Sequence, residues 1–94
     1  MAPNCEIEYD VNKRNKTLEN RGLDFDEAPR VFAGRTLSKV DDRQDYGEER
    51  IITAGKLDDR YVVLVWTWRD EKRRIISMRY ANDRERREIS RYLD

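Results

Sequence analysis

The stretch from Arg60 to Ala81, RYVVLVWTWRDEKRRIISMRYA, decides the fold of this chain. Two apolar runs, Tyr61–Trp68 and Ile75–Met78, flank the charged linker Arg69-Asp70-Glu71-Lys72-Arg73-Arg74. Both runs are rich in Val, Ile, Tyr, Trp and Thr, which suit a pleated, half-buried surface better than a helix. The linker has the length of a hairpin connection but lacks the Asn-Gly or Asp-Gly pair of the tightest turns. The reading is two antiparallel strands in the middle of a small sheet, with cationic side chains leaving both ends.

At 94 residues the chain reads as a single domain, 1–94, with one modest core. Formal net charge is zero, with 43% of residues charged and 37% hydrophobic, so the apolar clusters sit under a heavily charged surface. The charge is unevenly placed. Residues 60–94 hold ten Lys/Arg and six Asp/Glu, whereas residues 1–59 hold ten and fourteen. That asymmetry hints at a polyanion or an acidic partner. Cys5 is the only cysteine and there is no histidine. An internal disulfide and a Ser-His-Asp or Cys-His mechanism are therefore excluded, and a zinc site nearly so. Cys5 reads as a spare thiol, the expected setting is cytoplasmic, and no segment suits a bilayer.

Outward from the hairpin, residues 1–5 read as a frayed leader, and Glu6-Ile7-Glu8-Tyr9 alternates like a short edge strand facing the core through Ile7 and Tyr9. Asp10 is placed to cap a helix over Val11–Arg21 that Gly22 ends, basic through Lys13, Arg14 and Lys16, with Val11 and Leu18 on one face. Asp24 and Glu27 have capping-box spacing, and Phe25, Ala28, Val31 and Phe32 fall at amphipathic-helix offsets. Pro29 would clash if Asp24 were the cap and would be safe if Asp26 were. Thr36–Val40 and Arg50–Gly55 read as strands, residues 41–47 as a polar turn. Asn82 and Glu85 again have capping-box spacing before a last helix striped by Ile89, Tyr92 and Leu93. The order predicts an α+β domain with its helices on one face of a mostly antiparallel sheet.

These residues also carry a resemblance. Tyr9-Asp10-Val11-Asn12-Lys13, Gly22-Leu23-Asp24-Phe25-Asp26-Glu27-Ala28 with Val31-Phe32, Glu48-Glu49-Arg50 with Gly55, Thr67 with Arg69, and Arg74-Ile75-Ile76-Ser77-Met78-Arg79 stand in one order. In these five motifs the chain resembles the BrnT family, the toxins of bacterial BrnT–BrnA type II toxin–antitoxin modules. It departs where the family often has histidines or lysine, at Asn20-Arg21, Trp66 and Tyr80. The resemblance implies a RelE-like fold, a small antiparallel sheet with two N-terminal helices and a C-terminal helix packed on it. It also implies RNA cleavage that slows translation and growth. The implied partner is a BrnA-type ribbon-helix-helix antitoxin in a 2:2 assembly, which alone contacts operator DNA.

RNA cleavage without a metal or other cofactor needs a base for the 2′-OH proton, cations for the phosphorane and an acid for the leaving 5′-oxygen. Arginine suits the cationic role because its planar fork grips phosphate oxygens and stays charged. Such preorganised donors contribute on the order of 3 kcal/mol each. Arg50, Arg69 and Arg79 lie on or near three candidate neighbouring strands, and Lys13 carries over from the family's first-helix lysine. Glu49, Tyr80 or a lysine is the candidate proton carrier; Lys16, Arg74, Thr67 and Trp66 are candidate substrate contacts. Each has an ordinary reading beside this one: a surface arginine in an ion pair, a solvated lysine, a strand aromatic, a core tryptophan.

Overall fold

The computed structural model describes residues 6–94; the expected leader, with Cys5, lies outside the described residues. Strand β1 (Ile7–Tyr9) runs into helix α1 (Val11–Arg21), which Asp10 caps by accepting hydrogen bonds from the N–H groups of Asn12 and Lys13. Gly22, with φ +71°, ends it in the left-handed conformation that glycine adopts without strain. Then come α2 (Ala28–Ala33), β2 (Thr36–Asp41), β3 (Arg50–Leu57), β4 (Arg60–Arg69), β5 (Lys72–Tyr80) and α3 (Asp83–Leu93). Asn82 and Glu85 form the expected reciprocal cap of α3.

The five strands make one mixed sheet in the order β1-β5-β4-β3-β2. Every pair is antiparallel except β1 with β5, which is parallel. The central hairpin is tighter than its charged linker suggests, because Lys72, Arg73 and Arg74 already belong to β5. Only Asp70 and Glu71 turn the chain, at φ +50° and +67°, and Asp58 and Asp59 do the same between β3 and β4. Paired positive φ values give the twist that a two-residue hairpin needs.

Two expectations are corrected. Instead of two full N-terminal helices there is one, α1, and a six-residue α2 entered through a single 3-10 turn, Phe25–Glu27. Asp24 caps that turn, so α2 proper begins at Ala28 and Pro29 falls in its first turn, where its missing N–H costs nothing. The helices also do not share a face. Phe25, Ala28 and Val31 pack on Val62, Leu64, Trp66, Ile75 and Met78, while Ile89 of α3 packs on Ala54, Tyr61 and Val63. Successive strand residues point to opposite faces, so the unbroken apolar run Tyr61–Trp66 already demands cover on both sides.

Contact on the first face is close. A Cβ on Gly55 would meet Val31 Cγ1 at 2.8 Å, so α2 rests directly on the β3 backbone. α1 is held differently, since none of its residues is buried and both Val11 and Leu18 are exposed. Polar contacts fix it: Arg14 grips Asp24 with two hydrogen bonds of 2.9 and 2.8 Å, and Arg21 donates to the Met78 carbonyl.

Candidate active site

A β-bulge at Ile76 controls what the α3 side of the sheet presents. Val65 pairs with Ser77 but Trp66 pairs with Ile75, so one residue of β5 is skipped. Beyond the bulge Arg74 lies opposite Thr67, and on its other side opposite Glu8 of β1. Arg50 precedes Ile51, the partner of Trp66, and so lies beside Thr67; its other neighbour is Asp41 of β2. A single row, Glu8, Arg74, Thr67, Arg50, Asp41, thus crosses all five strands on one face, about 4.8 Å per strand. Arg69 stands one same-face position beyond Thr67, at the hairpin end.

Arg79 shares this face but not this place. It pairs with Val63, four residues from Thr67 along β4, which puts it about 13 Å from the row. Along the sheet it is the most distant from Thr67 of the four arginines on this face.

The arginines differ in how far they are neutralised. Arg79 donates two hydrogen bonds of 2.7 and 2.8 Å to Glu85, and Arg74 donates one of 2.8 Å to Glu8. Arg69 donates to Glu48 at 3.0 Å. Arg50 lies 4.0 Å over the Tyr46 ring, and its Nε approaches Glu48 only to 3.6 Å, too far for a hydrogen bond. Buried Nε of Arg50 consequently has no partner. Tyr46 is itself anchored, because its hydroxyl donates to the buried carboxylate of Asp41, which also takes three bonds from Arg43, two from the guanidinium and one from the backbone N–H. Those bonds, Arg43 first, hold the Asp41 carboxyl at about 2.

Other expected residues sit elsewhere. The Thr67 hydroxyl is buried and donates to the Glu49 carbonyl at 2.7 Å, so it pins the β2–β3 loop and offers nothing to a substrate. Glu49 itself is exposed, with no hydrogen bond to its carboxylate among the described residues. Trp66 is a core residue on the opposite face, donating to Thr53 Oγ1 at 2.8 Å and edge-on to Phe32. Tyr80 follows Arg79 and so faces the other way, its ring 3.6 Å beneath the Arg60 guanidinium. Lys13 and Lys16 line a shallow recess of about 250 Å³ with Ile76 and Ser77, along the part of β5 that β1 leaves uncovered. Sequence reasoning passed over Tyr46, Glu48 and Glu8. Glu48 was within reach, standing in the Glu-Glu-Arg motif, whereas Tyr46 looked like ordinary turn polarity.

The Arg79–Glu85 pair gives a pH test. Arg79, with help from the Asn82 N–H, holds the Glu85 carboxyl at about 2, below the roughly 4.3 of an unfolded Glu. A depressed carboxylate stabilises the fold above its unfolded pKa and loses that effect as pH falls toward 2. Both side chains are partly exposed, so screening limits the effect to about 1 kcal/mol. Glu85→Gln is expected to be less stable than the parent at pH 6 by that amount, with the gap closing toward pH 2 in urea titrations.

Among the described residues no group of three or more His, Cys, Asp or Glu is placed to hold a metal ion, and no helix is long and apolar enough to cross a membrane. A search of curated proteins finds no match to the chain. A family profile described as "Ribonuclease toxin, BrnT, of type II toxin-antitoxin system" matches residues 9–85, from the strand before α1 to the first turn of α3. That span holds all five motifs and the whole arginine row except Glu8, and by it the chain belongs to the BrnT family of ribonuclease toxins from type II toxin–antitoxin systems.

Proposed function

We propose that the chain is a metal-independent endoribonuclease with a RelE-like fold, acting in the cytoplasm to block translation and growth. The single observation carrying this reading is Arg50, stacked on Tyr46 and free of any hydrogen bond to a carboxylate. Its fork and that of Arg69 flank Glu48, which holds the place of a scissile phosphate. The 2′-oxygen attacks phosphorus, the P–O5′ bond breaks, and the products are a 2′,3′-cyclic phosphate and a 5′-hydroxyl. Glu49, exposed and adjacent to Arg50 in the chain, takes the 2′-OH proton, and the departing 5′-oxygen is protonated from water. Arg50 and Arg69 stabilise the phosphorane charge. Arg74, and at longer range Arg79, Lys13 and Lys16, bind neighbouring phosphates of the strand. A BrnA-type ribbon-helix-helix antitoxin neutralises the toxin in a 2:2 complex and alone contacts operator DNA.

The ion pairs at Arg50, Arg69, Arg74 and Arg79 and the lack of histidine favour a second reading, a catalytically reduced homologue that grips antitoxin or RNA. Incubating the purified chain with an RNA oligonucleotide in the presence of EDTA separates the two. The nuclease reading expects fragments ending in a 2′,3′-cyclic phosphate; intact RNA with folded protein leaves the binding module.

A further inference from the structure

The hairpin end of the sheet carries a cluster that the arginine row does not use. On the α2 face three aromatic rings stand edge to face in turn. Phe32 meets Trp66 at 5.4 Å between ring centres, and Trp66 meets Trp68 at 5.1 Å. Arg73 is the cross-strand partner of Trp68 and lays its guanidinium among all three. It lies 4.1 Å from the centre of Phe32, 5.1 Å from Trp66 and 5.3 Å from Trp68. Arg73 forms no ion pair among the described residues. Trp66 is spent on the core at 5% exposure, whereas Trp68 leaves 49% of its surface in water.

We propose that Trp68, steadied by Arg73, is a stacking surface for one nucleobase of a single-stranded RNA, an inference that rests on the nuclease reading above. Every base has a π-face, and an exposed ring beside unpaired positive charge suits a strand of stacked bases and phosphates. The position fits as well. Trp68 and Arg69 are neighbours in β4, so their side chains leave opposite faces from Cα atoms about 3.8 Å apart. The turn at Asp70 and Glu71 ends the sheet just beyond them. A strand with one phosphate on Arg69 has only this tip to round before a neighbouring base reaches the Trp68 ring. Unpaired nucleotides can splay a base out in this way, while bases in a duplex are held in the stack. Trp66 and Arg73 already fix the ring from two sides, so little side-chain freedom is lost on binding. Trp68 thus sets the affinity and register of the strand and touches no reacting atom.

The test uses the full chain and a short 2′-O-methyl oligoribonucleotide, which resists cleavage because its 2′-oxygen is blocked. Binding is followed by the anisotropy of a label on the probe and, separately, by tryptophan emission. Emission of the parent is expected to fall as the probe binds. Trp68→Ala, with Trp66 as its one remaining tryptophan, should lose that response and about 10-fold in affinity. Trp68→Phe keeps a stacking face and should stay within about 3-fold of the parent. An abasic probe of equal length separates stacking from a structural role, since the parent and Trp68→Ala should bind it equally weakly. Circular dichroism checks each fold; if Trp68→Ala is unfolded, the parent's response to the two probes decides alone. Failure of the parent to bind the base-bearing probe, or unchanged emission at saturation, overturns the proposal. So does an equal loss in Trp68→Ala for both probes, or emission that responds to the antitoxin and not to RNA. The two readings fail separately: cleavable RNA left intact by the parent removes the nuclease, while quenching still decides the base site.

Discussion

Replacing Arg50 with alanine is expected to slow RNA cleavage by about 100-fold or more, the usual cost of removing one preorganised donor, roughly 3 kcal/mol. The argument rests on its surroundings. Arg50 sits on the Tyr46 ring with its nearest carboxylate oxygen 3.6 Å away, so no carboxylate takes a hydrogen bond from its guanidinium. Arg50→Lys should not restore the rate, because a single ammonium cannot grip two phosphate oxygens in a plane or stack on the ring in the same way. Arg79→Ala makes the informative contrast. That guanidinium is closed on Glu85 at the start of α3, about 13 Å from the row, so its removal should cost stability and affinity for longer RNA before it costs the chemical step. Single-turnover rates on a short oligonucleotide distinguish them: a loss at Arg79 equal to that at Arg50 would contradict the assignment.

Phe25→Ala is expected to destabilise the protein by about 4 kcal/mol, within the range for emptying a large aromatic from a core. Phe25 is fully buried, stands edge-on to Tyr9 at 5.7 Å between ring centres, and joins β1, the 3-10 turn and β5 into one cluster. A domain of this length has on the order of 5–14 kcal/mol in total. A loss of that size leaves it marginal. Urea unfolding at neutral pH should show the midpoint fall steeply with little change in slope; a shift under 1 kcal/mol would mean the cluster refills the space.

Much of this was legible locally. Asp10, Gly22, Asn82 and Glu85 announced the ends of α1 and α3 because capping is read by a few neighbours. Hairpin β4–β5 followed from composition. The side of the sheet on which each helix sits was not legible from helix patterns, and the strand run Tyr61–Trp66 that does encode two covered faces was read only as strand. Arg74 and Arg79 are five residues apart, so in a regular strand they would face opposite ways; the bulge at Ile76 alone brings them to one face. Nothing in Arg-Ile-Ile-Ser announces that bulge. Tyr80, in contrast, adjoins Arg79, and period-two alternation was enough to keep it from Arg79's face.

The parallel seam between β1 and β5 also sets the order of events during synthesis. Glu8 and Arg74 are 66 residues apart in the chain, yet they touch in the finished sheet. Pairings of such separation are late and slow to form, because loop-closure entropy must be met first. While the chain emerges from a ribosome, its first strand has nowhere to dock until the second half of the central hairpin has followed it out. The arginine row is therefore complete only once β5 has been made, however early the strands before it have paired.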